Sequence, residues 1–283
     1  MVTVHNQQSQ LARRAVITES AFQSSGIKDT KSSRGFSCGG LGFLVFDDPS
    51  PEVVTLTRSR IAAGESAAVI PAHFTSPAAA FFDMDATVIA EESLVEIARL
   101  AGKYELIESI TAKAMAGGMD FRESLALRLR ELKGIRRDDV LTISPHINKG
   151  MPEISEWAAS HGIPLYLISG GFVDLAEPVA RQLRFRDFKA NRFSWDDSGL
   201  MLGHAEGDII DANGKLNAVE RWCDHLGTTP AQCVAVGDGA NDLPMLRACG
   251  WAVGFQPKKA LWPHIHCANH TGDHRFMLRC LNV

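Results

Sequence analysis

The spacing of apolar positions changes along the chain and divides it into four regions. Between residues 150 and 283, short apolar runs such as Pro164–Ile168 and Cys233–Val236 alternate with segments in which apolar residues recur every three or four positions. Short apolar runs predict buried strands, and the longer repeat predicts amphipathic helices. Strands that alternate with helices predict a parallel sheet with right-handed crossovers.

Residues 91–149 show helical spacing without strand patterns. Leu94, Ala98 and Ala101 recur on one helical face near the start of this block. The block follows the first apolar run of the sheet, in residues 78–90. We therefore expect an inserted helical cap that lies over the carboxyl edge of the sheet, as a lid.

Residues 1–77 predict a small α+β module of unclear role. Strands are expected at Arg14–Thr18, Leu41–Phe46 and Ala67–Ile70, with a helix over Glu52–Ala63. The polar segment SSGIKDTKSSRG, between the first two strands, is expected to be a loop because of its composition. The module contains no motif that carries chemistry.

Composition narrows the classes of function. The chain has 283 residues, which favours about two domains, and a net charge of −4, which gives no reason to expect nucleic-acid or membrane partners. No apolar segment is long enough to cross a bilayer. Six scattered cysteines without a CxxC pair are typical of reduced thiols in a cytoplasmic protein.

The strand in residues 78–90 ends in two carboxylates. The sequence there is AAAFFDMDATVIA, so Asp83 and Asp85 follow the apolar run, with the hydroxyl of Thr87 nearby. Open α/β sheets place their chemistry at such strand ends. The three side chains could provide a nucleophile, a proton-transfer group and a metal site. A solvated turn explains this segment alone equally well.

Three later segments decide between these readings. Ser169–Gly170–Gly171 lies between a strand and a helix, where glycine lets the backbone approach an anion. Lys215 stands in the first turn of a predicted helix, where it opposes the helix dipole, which hints at a negatively charged partner. Taken singly, a steric glycine turn and a surface lysine remain the simpler explanations.

The third segment is GDGAND, residues 237–242, after another apolar strand. Its Asp238 and Asp242 would join Asp83 and Asp85 at one sheet edge. Four carboxylates repel one another unless a cation offsets them, and Mg²⁺ suits a site of oxygen ligands that binds phosphates. An Asp/Gly turn with a side-chain cap is the alternative for Asp242.

In this order, DMDAT, SGG, Lys215 and GDGAND resemble the haloacid-dehalogenase-like hydrolase superfamily. The segments EESLVEIARLAGK and ITAKAMAGGMDFRESLALRLRELKG are similar to the cap of the phosphoserine phosphatase family. The resemblance covers roughly residues 78–283. It implies an α/β fold with a Rossmann-like open parallel sheet, in which residues 78–90 and 150–283 form the catalytic core and residues 91–149 the cap.

The resemblance also implies roles for individual residues. Asp83 matches the nucleophile that becomes an aspartyl-phosphate, and Asp85 matches the general acid and base. Mg²⁺ would be held by Asp83, the backbone carbonyl of Asp85, and Asp238. The family's phosphate contacts match Ser169, Gly170, Gly171, Lys215 and Asn241. Asp242 is expected to orient the lysine or the loop.

The cap is implied to recognise the amino acid. Glu92 and Arg128 match the residues that bind the amino and carboxylate groups of phosphoserine, while Met115 and Phe121 match an apolar wall. The alternatives are a helix-terminal charge for Glu92, a solvated arginine for Arg128 beside Arg130 and Lys133, and ordinary core positions for the two apolar residues.

The sequence thus predicts an Mg²⁺-dependent phosphoserine phosphatase of serine biosynthesis that acts on a small phosphate monoester and could form a homodimer. The alternative is a phosphatase or phosphotransferase for another monoester, such as phosphothreonine or homoserine phosphate. Ala86 departs from the family, which has Ser or Gly there. A zinc site among His264, His266, Cys267, His270 and His274 is disfavoured, because the spacing matches no zinc motif.

Overall fold

The computed structural model describes residues 12–27, 32–74, 76–115 and 119–281. One sheet of eleven strands runs through this part of the chain. The strands are β1 Ala12–Thr18, β2 Ser32–Cys38, β3 Leu41–Asp47, β4 Ala67–Pro71, β5 Ala80–Phe82, β6 Leu165–Phe172, β7 Asp187–Trp195, β8 Met201–Glu206, β9 Val234–Gly237, β10 Trp251–Phe255 and β11 Cys267–Asn269.

Helices cover both faces of the sheet and form the inserted block. In chain order they are α1 Glu19–Ser25, α2 Pro51–Ala62, α3 Ser93–Leu100, α4 Tyr104–Met115, α5 Phe121–Glu131, α6 Arg137–Val140, α7 Met151–Ser160, α8 Val173–Gln182, α9 Ala212–Leu226, α10 Leu243–Ala248 and α11 Arg275–Leu281.

The strand order is β2-β3-β1-β4-β11-β10-β9-β5-β6-β7-β8. The six strands from β11 to β7 run parallel to one another, which confirms the predicted α/β fold. Their central members are buried on both faces: Phe81 of β5 packs into one core cluster and Phe82 into the other. Successive side chains of a strand point to opposite faces, so an all-apolar strand predicts this double burial.

The described strands of residues 1–77 continue the same sheet. Strand β4 pairs with β11 in antiparallel fashion, with Ala68 opposite Cys267. The loop predicted in this region is wrong at its carboxyl end, because β2 begins at Ser32 and pairs with β3. The ring of Phe36 stacks on that of Phe43, with centroids 5.2 Å apart. The two strands form a hairpin across Gly39 and Gly40, so the pairing is local, but the polar composition of the segment concealed the strand.

The helical block, predicted for residues 91–149, contains α3 to α6. Its two ends meet beside β5, where Ile89 and Ile147 form an antiparallel bridge. Asn148 Nδ2 donates to the carbonyls of Thr87 and Ile89 at 2.8 and 3.0 Å. These hydrogen bonds connect the base of the cap to the loop that follows β5.

The hairpin of β7 and β8 was not predicted from the sequence. Its antiparallel register places Arg192 opposite Glu206. Backbone hydrogen bonds at 2.8 Å join Met201 of β8 to Gly134 and Ile135, just after the cap helix α5. The hairpin therefore supports the cap beside the end of α5.

Two histidines of the carboxyl-terminal region have structural contacts. His266 Nδ1 accepts a hydrogen bond from the Ala252 amide at 3.0 Å. His274 is buried, stacks on Phe255 with centroids 3.8 Å apart, and donates from Nε2 to the Thr87 carbonyl at 2.9 Å. His274 thus supports the same loop that Asn148 contacts.

All six cysteines are free thiols with buried side chains. Among the described residues, the structure contains no helix with both the length and the apolar character needed to span a membrane.

The burial of His274 makes the stability of the protein depend on pH. Burial lowers the pKa of His274 to about 4, so the folded chain resists a proton that the unfolded chain binds near pH 6.5. The contribution of His274 to the free energy of unfolding is fully present above the pKa of the unfolded state and is lost as the pH falls toward 4. At pH 5 we expect a loss of about 2 kcal/mol from this group.

Urea denaturation at pH 7.5 and pH 5 measures this effect. The variant His274→Gln should lose less stability between the two pH values than the unmodified chain, whereas the exposed control His204→Gln should behave like the unmodified chain. An equal drop in His274→Gln would contradict the prediction.

Candidate active site

The predicted site residues of the core converge at the carboxyl ends of three parallel strands. Asp83 follows β5, Ser169 lies in the last part of β6, and Asp238 follows β9. Helix α9 brings Lys215 beneath them, where its side chain is only 1% exposed. The sheet edge expected from the sequence is therefore formed.

A buried ammonium group joins the acidic segments that follow β5 and β9. Lys215 Nζ lies 2.6 Å from Asp83 Oδ1 and 2.6 Å from Asp242 Oδ1. Asp242 Oδ2 accepts hydrogen bonds from the amides of Asp238 and Gly239, both at 3.1 Å. The negative partner that the lysine's position indicated is present, and Asp242 orients both the lysine and the loop.

One ammonium cannot offset both of the carboxylates that it contacts. Burial and the charge of Asp242 raise the pKa of Asp83 well above its usual range, and Lys215 opposes this shift. Burial lowers the pKa of Lys215, but Asp242 and Asp83 outweigh burial and raise it overall. Burial likewise raises the pKa of Asp238, against the opposing charge of Lys258. The site thus carries an excess of negative charge.

A cation would relieve that excess. Carboxylate oxygens of Asp83, Asp238 and Asp242 lie within 4.8 Å of one another. Both oxygens of Asp242 already accept hydrogen bonds, so Asp83 and Asp238 are the better metal ligands. These buried oxygen donors fit a hard divalent cation.

Asp85 lies in an irregular turn, Met84–Val88, directly after the strand. Ser93 fixes its carboxylate, donating from Oγ to Oδ2 at 2.9 Å and from its amide to Oδ1 at 3.1 Å. Burial, followed by the charge of Glu92, raises the pKa of Asp85 to about 7, although the Ser93 bonds oppose the shift. Ala86 takes a left-handed conformation with φ 52°, which a glycine adopts at lower cost.

The glycine loop is closely packed. Ser169 Oγ accepts a hydrogen bond from the Gly171 amide at 2.8 Å. A Cβ added to Gly171 would meet Ser93 Oγ at 2.5 Å and Asp85 Oδ2 at 2.9 Å, whereas at Gly170 the nearest atom would lie at 3.5 Å. Gly171 is therefore required for the approach of the loop to Asp85.

Cap and core enclose a cavity of about 530 Å³. From the core it is lined by residues that include Asp83, Asp85, Gly170, Gly171, Asp238 and Asn241, and from the cap by residues that include Glu92, Phe121, Leu125 and Arg128. The ring of Phe121 faces Gly170 across the cavity at van der Waals distance. Most of the residues predicted from the sequence thus share one enclosed space.

The two polar cap residues do not have the purely structural roles considered as alternatives for them. Glu92 stands at the start of α3, but its side chain makes no capping hydrogen bond to the helix. Arg128 lines the cavity while Arg130 and Lys133 are exposed. Burial lowers the pKa of Arg128, and the nearby charges of Glu92 and Asp85 oppose the change. Both side chains are available to a ligand.

Met115 is the last residue of α4, and its side chain lies outside the described part of the structure. Its place in the apolar wall stays a prediction.

Sequence reasoning missed three polar residues of the site. Ser93 holds Asp85, and Lys258 lies 2.8 Å from Asp238. Asn191 is buried, donates to the Gly170 carbonyl and accepts from the Ile210 amide, both at 2.8 Å. Each acts on a residue of another element, which is only eight residues away for Ser93 and Asp85, and residue type alone does not identify that partner.

Comparison with known proteins agrees with this arrangement. A family model described as haloacid dehalogenase-like hydrolase matches residues 80–247. A phosphoserine phosphatase of Idiomarina loihiensis is 38% identical over 182 residues, which cover 64% of this chain and 82% of that protein.

Two solved structures are also similar. A phosphoserine phosphatase described as a phospho-aspartyl intermediate analogue covers 72% of this chain and 98% of its own, with 29% identity and a TM-score of 0.67. A probable phosphoserine phosphatase from Vibrio cholerae covers 96% of this chain and 88% of its own, with 25% identity and a TM-score of 0.73. The second likeness therefore includes strands of residues 1–77.

The contacts of Lys215 predict unequal effects on stability for its two partners. Asp242→Ala leaves two buried amides without an acceptor and removes one of the two carboxylates that pair with the buried lysine, so we expect a loss of about 3 kcal/mol in the free energy of unfolding. Asp83→Asn removes one of two repelling carboxylates and should change stability by less than about 1 kcal/mol. Both changes can be measured from the urea concentration at the midpoint of unfolding, if the slope of the transition is the same in each variant. Equal losses in the two variants would show this account to be wrong.

Proposed function

Because the chain belongs to the haloacid dehalogenase-like hydrolases, we propose that it hydrolyses O-phosphoserine to serine and phosphate, the last step of phosphorylated serine biosynthesis. The observation that carries the proposal is a single cavity in which Asp83 and Asp85 face Glu92 and Arg128. The carboxylates suit phosphoryl transfer, and the opposite charges of the cap residues suit an amino acid. Relatives named phosphoserine phosphatase support the same substrate.

In this proposal Asp83 is the nucleophile. Its Oδ1 accepts hydrogen bonds from the Met84 amide at 2.8 Å and contacts Lys215 at 2.6 Å. The carboxylate is thereby held rigidly, and its Oδ2 attacks phosphorus to form an aspartyl-phosphate. Covalent catalysis divides one difficult hydrolysis into two easier steps.

Asp85 transfers protons in both steps. It protonates the leaving oxygen of serine, and the resulting carboxylate then takes a proton from the water that attacks the aspartyl-phosphate. A pKa of about 7 makes both protonation states accessible near neutral pH. Ser93 keeps the carboxyl group oriented throughout.

We propose that Asp83, Asp238 and the backbone carbonyl of Asp85 hold Mg²⁺. Bound there, the ion would offset charge on the phosphoryl oxygens during transfer. Lys215, the Ser169 hydroxyl and Asn241 would complete the phosphate contacts, and Gly170 and Gly171 would let the backbone approach the phosphate closely.

The cap recognises the serine part of the substrate. Glu92 binds the ammonium group, and Arg128 binds the carboxylate through its forked guanidinium group. Phe121, together with the predicted contribution of Met115, closes the cavity against water. A cytoplasmic location and a homodimer stay predictions.

Replacing the nucleophile tests the chemistry. Asp83→Asn should lower kcat by about a thousandfold or more, because the amide cannot form the covalent intermediate. With ³²P-phosphoserine and Mg²⁺, acid quenching should trap label on the unmodified chain but not on Asp83→Asn. Full turnover by Asp83→Asn would rule out this nucleophile.

A substrate panel tests the amino-acid specificity. Glu92→Gln and Arg128→Met should each raise KM for phosphoserine roughly 10- to 100-fold, since each removes a charge-assisted contact. Turnover of p-nitrophenyl phosphate, which lacks both recognised groups, should change little.

The controls are Glu123→Gln and Arg130→Met, which alter exposed charges on α5. Unchanged phosphoserine kinetics in the Glu92 and Arg128 variants would contradict recognition by the cap. Faster turnover of phosphothreonine or homoserine phosphate, or transfer of phosphate to an added alcohol, would favour the alternative monoester phosphatase or phosphotransferase.

A further inference from the structure

Lys258 is attached to Asp238 at two points. It lies in the loop that follows β10, and its backbone amide donates to the Asp238 carbonyl at 2.8 Å. Its Nζ lies 2.8 Å from Asp238 Oδ2, and the side chain lines the same cavity. The two contacts come from one residue on a separate loop, so they fix both the backbone and the carboxylate of Asp238.

The chemistry proposed above gives Lys258 no role. Phosphate contacts come from Lys215 and the glycine loop, and the substrate carboxylate is assigned to Arg128. The Lys258 ammonium is also 3.9 Å from Glu92 Oε1, but both side chains are about half exposed, and such pairs contribute little. The contact with Asp238, which is 7% exposed, is the stronger of the two.

Metal binding and the lysine contact are compatible at Asp238. The ammonium uses Oδ2, which leaves Oδ1 for a cation. A carboxylate with one oxygen held by a partner outside the metal site loses rotational freedom before the metal arrives. Such outer partners commonly change metal affinity 10- to 100-fold.

We propose that Lys258 is a positioning residue of the metal site, which holds the Asp238 carboxylate in place for a divalent cation shared with Asp83. This inference rests on the Mg²⁺ site proposed above and adds a residue that acts through a ligand and does not touch the cation itself.

Calorimetric measurement of Mg²⁺ binding to the full chain, without substrate, tests the inference. Lys258→Met should bind Mg²⁺ about tenfold more weakly or worse, and Lys258→Arg, which keeps a cationic donor, should recover much of the affinity. Lys259→Met is the matched control, because it removes an exposed charge one residue away and should bind as the unmodified chain does. Circular dichroism verifies that each variant is folded.

Kinetics provides a second measurement. In Lys258→Met the Mg²⁺ concentration for half-maximal turnover should rise by a similar factor, while kcat at saturating Mg²⁺ stays within about twofold of the unmodified value.

Unchanged Mg²⁺ affinity in Lys258→Met would overturn the inference. Tighter binding of Mg²⁺ by Lys258→Met would also overturn the inference, because it would mean that the Lys258 ammonium competes with the cation for Asp238. Absence of Mg²⁺ binding by the unmodified chain would remove the proposed metal site together with the role of Lys258. If the unmodified chain binds Mg²⁺ and Lys258→Met binds it equally well, the metal site stands and only the role of Lys258 is rejected.

Discussion

The buried ion cluster around Lys215 is the interaction on which the site depends. An ammonium group that is almost fully removed from water must be paired, and its two partners belong to the loops after β5 and β9. The cluster therefore sets the distance between Asp83 and the loop that carries Asp238. It also leaves more negative charge than one lysine offsets, and this excess would favour the binding of a cation at the sheet edge.

The cap depends on the same loop. Asn148 and His274 both bond to the carbonyl of Thr87, one from the end of the inserted block and one from the carboxyl-terminal region. Since Thr87 is two residues from Asp85, the base of the cap and the Asp85 carboxyl group share a support. Glu92, at the start of the inserted block, lies close to this support and lines the cavity.

Much of this site could be predicted from the sequence because its residues occupy strand ends. A parallel sheet brings the carboxyl ends of its strands to one edge, so Asp83, Ser169 and Asp238 converge once the strands are identified. Ser93, Asn191 and Lys258 could not be found in this way. Each one acts by a hydrogen bond or ion pair to a residue of another element, and an isolated polar residue does not show which element it will meet.

The sequence by itself determined the alternation of strands and helices and the inserted helical block, because both follow from local periodicity. The order of the charged motifs can be read directly along the chain. Only the tertiary structure decided that β2 forms where composition indicated a loop, that the strands of residues 1–77 join the main sheet, and that the β7–β8 hairpin supports the cap. Strand pairing and buried ion pairs obtain their stability from other segments, which are near in the chain for the β2–β3 and β7–β8 hairpins and far away for β4 with β11 or Lys215 with Asp83. Their free energy is therefore not encoded in any short segment.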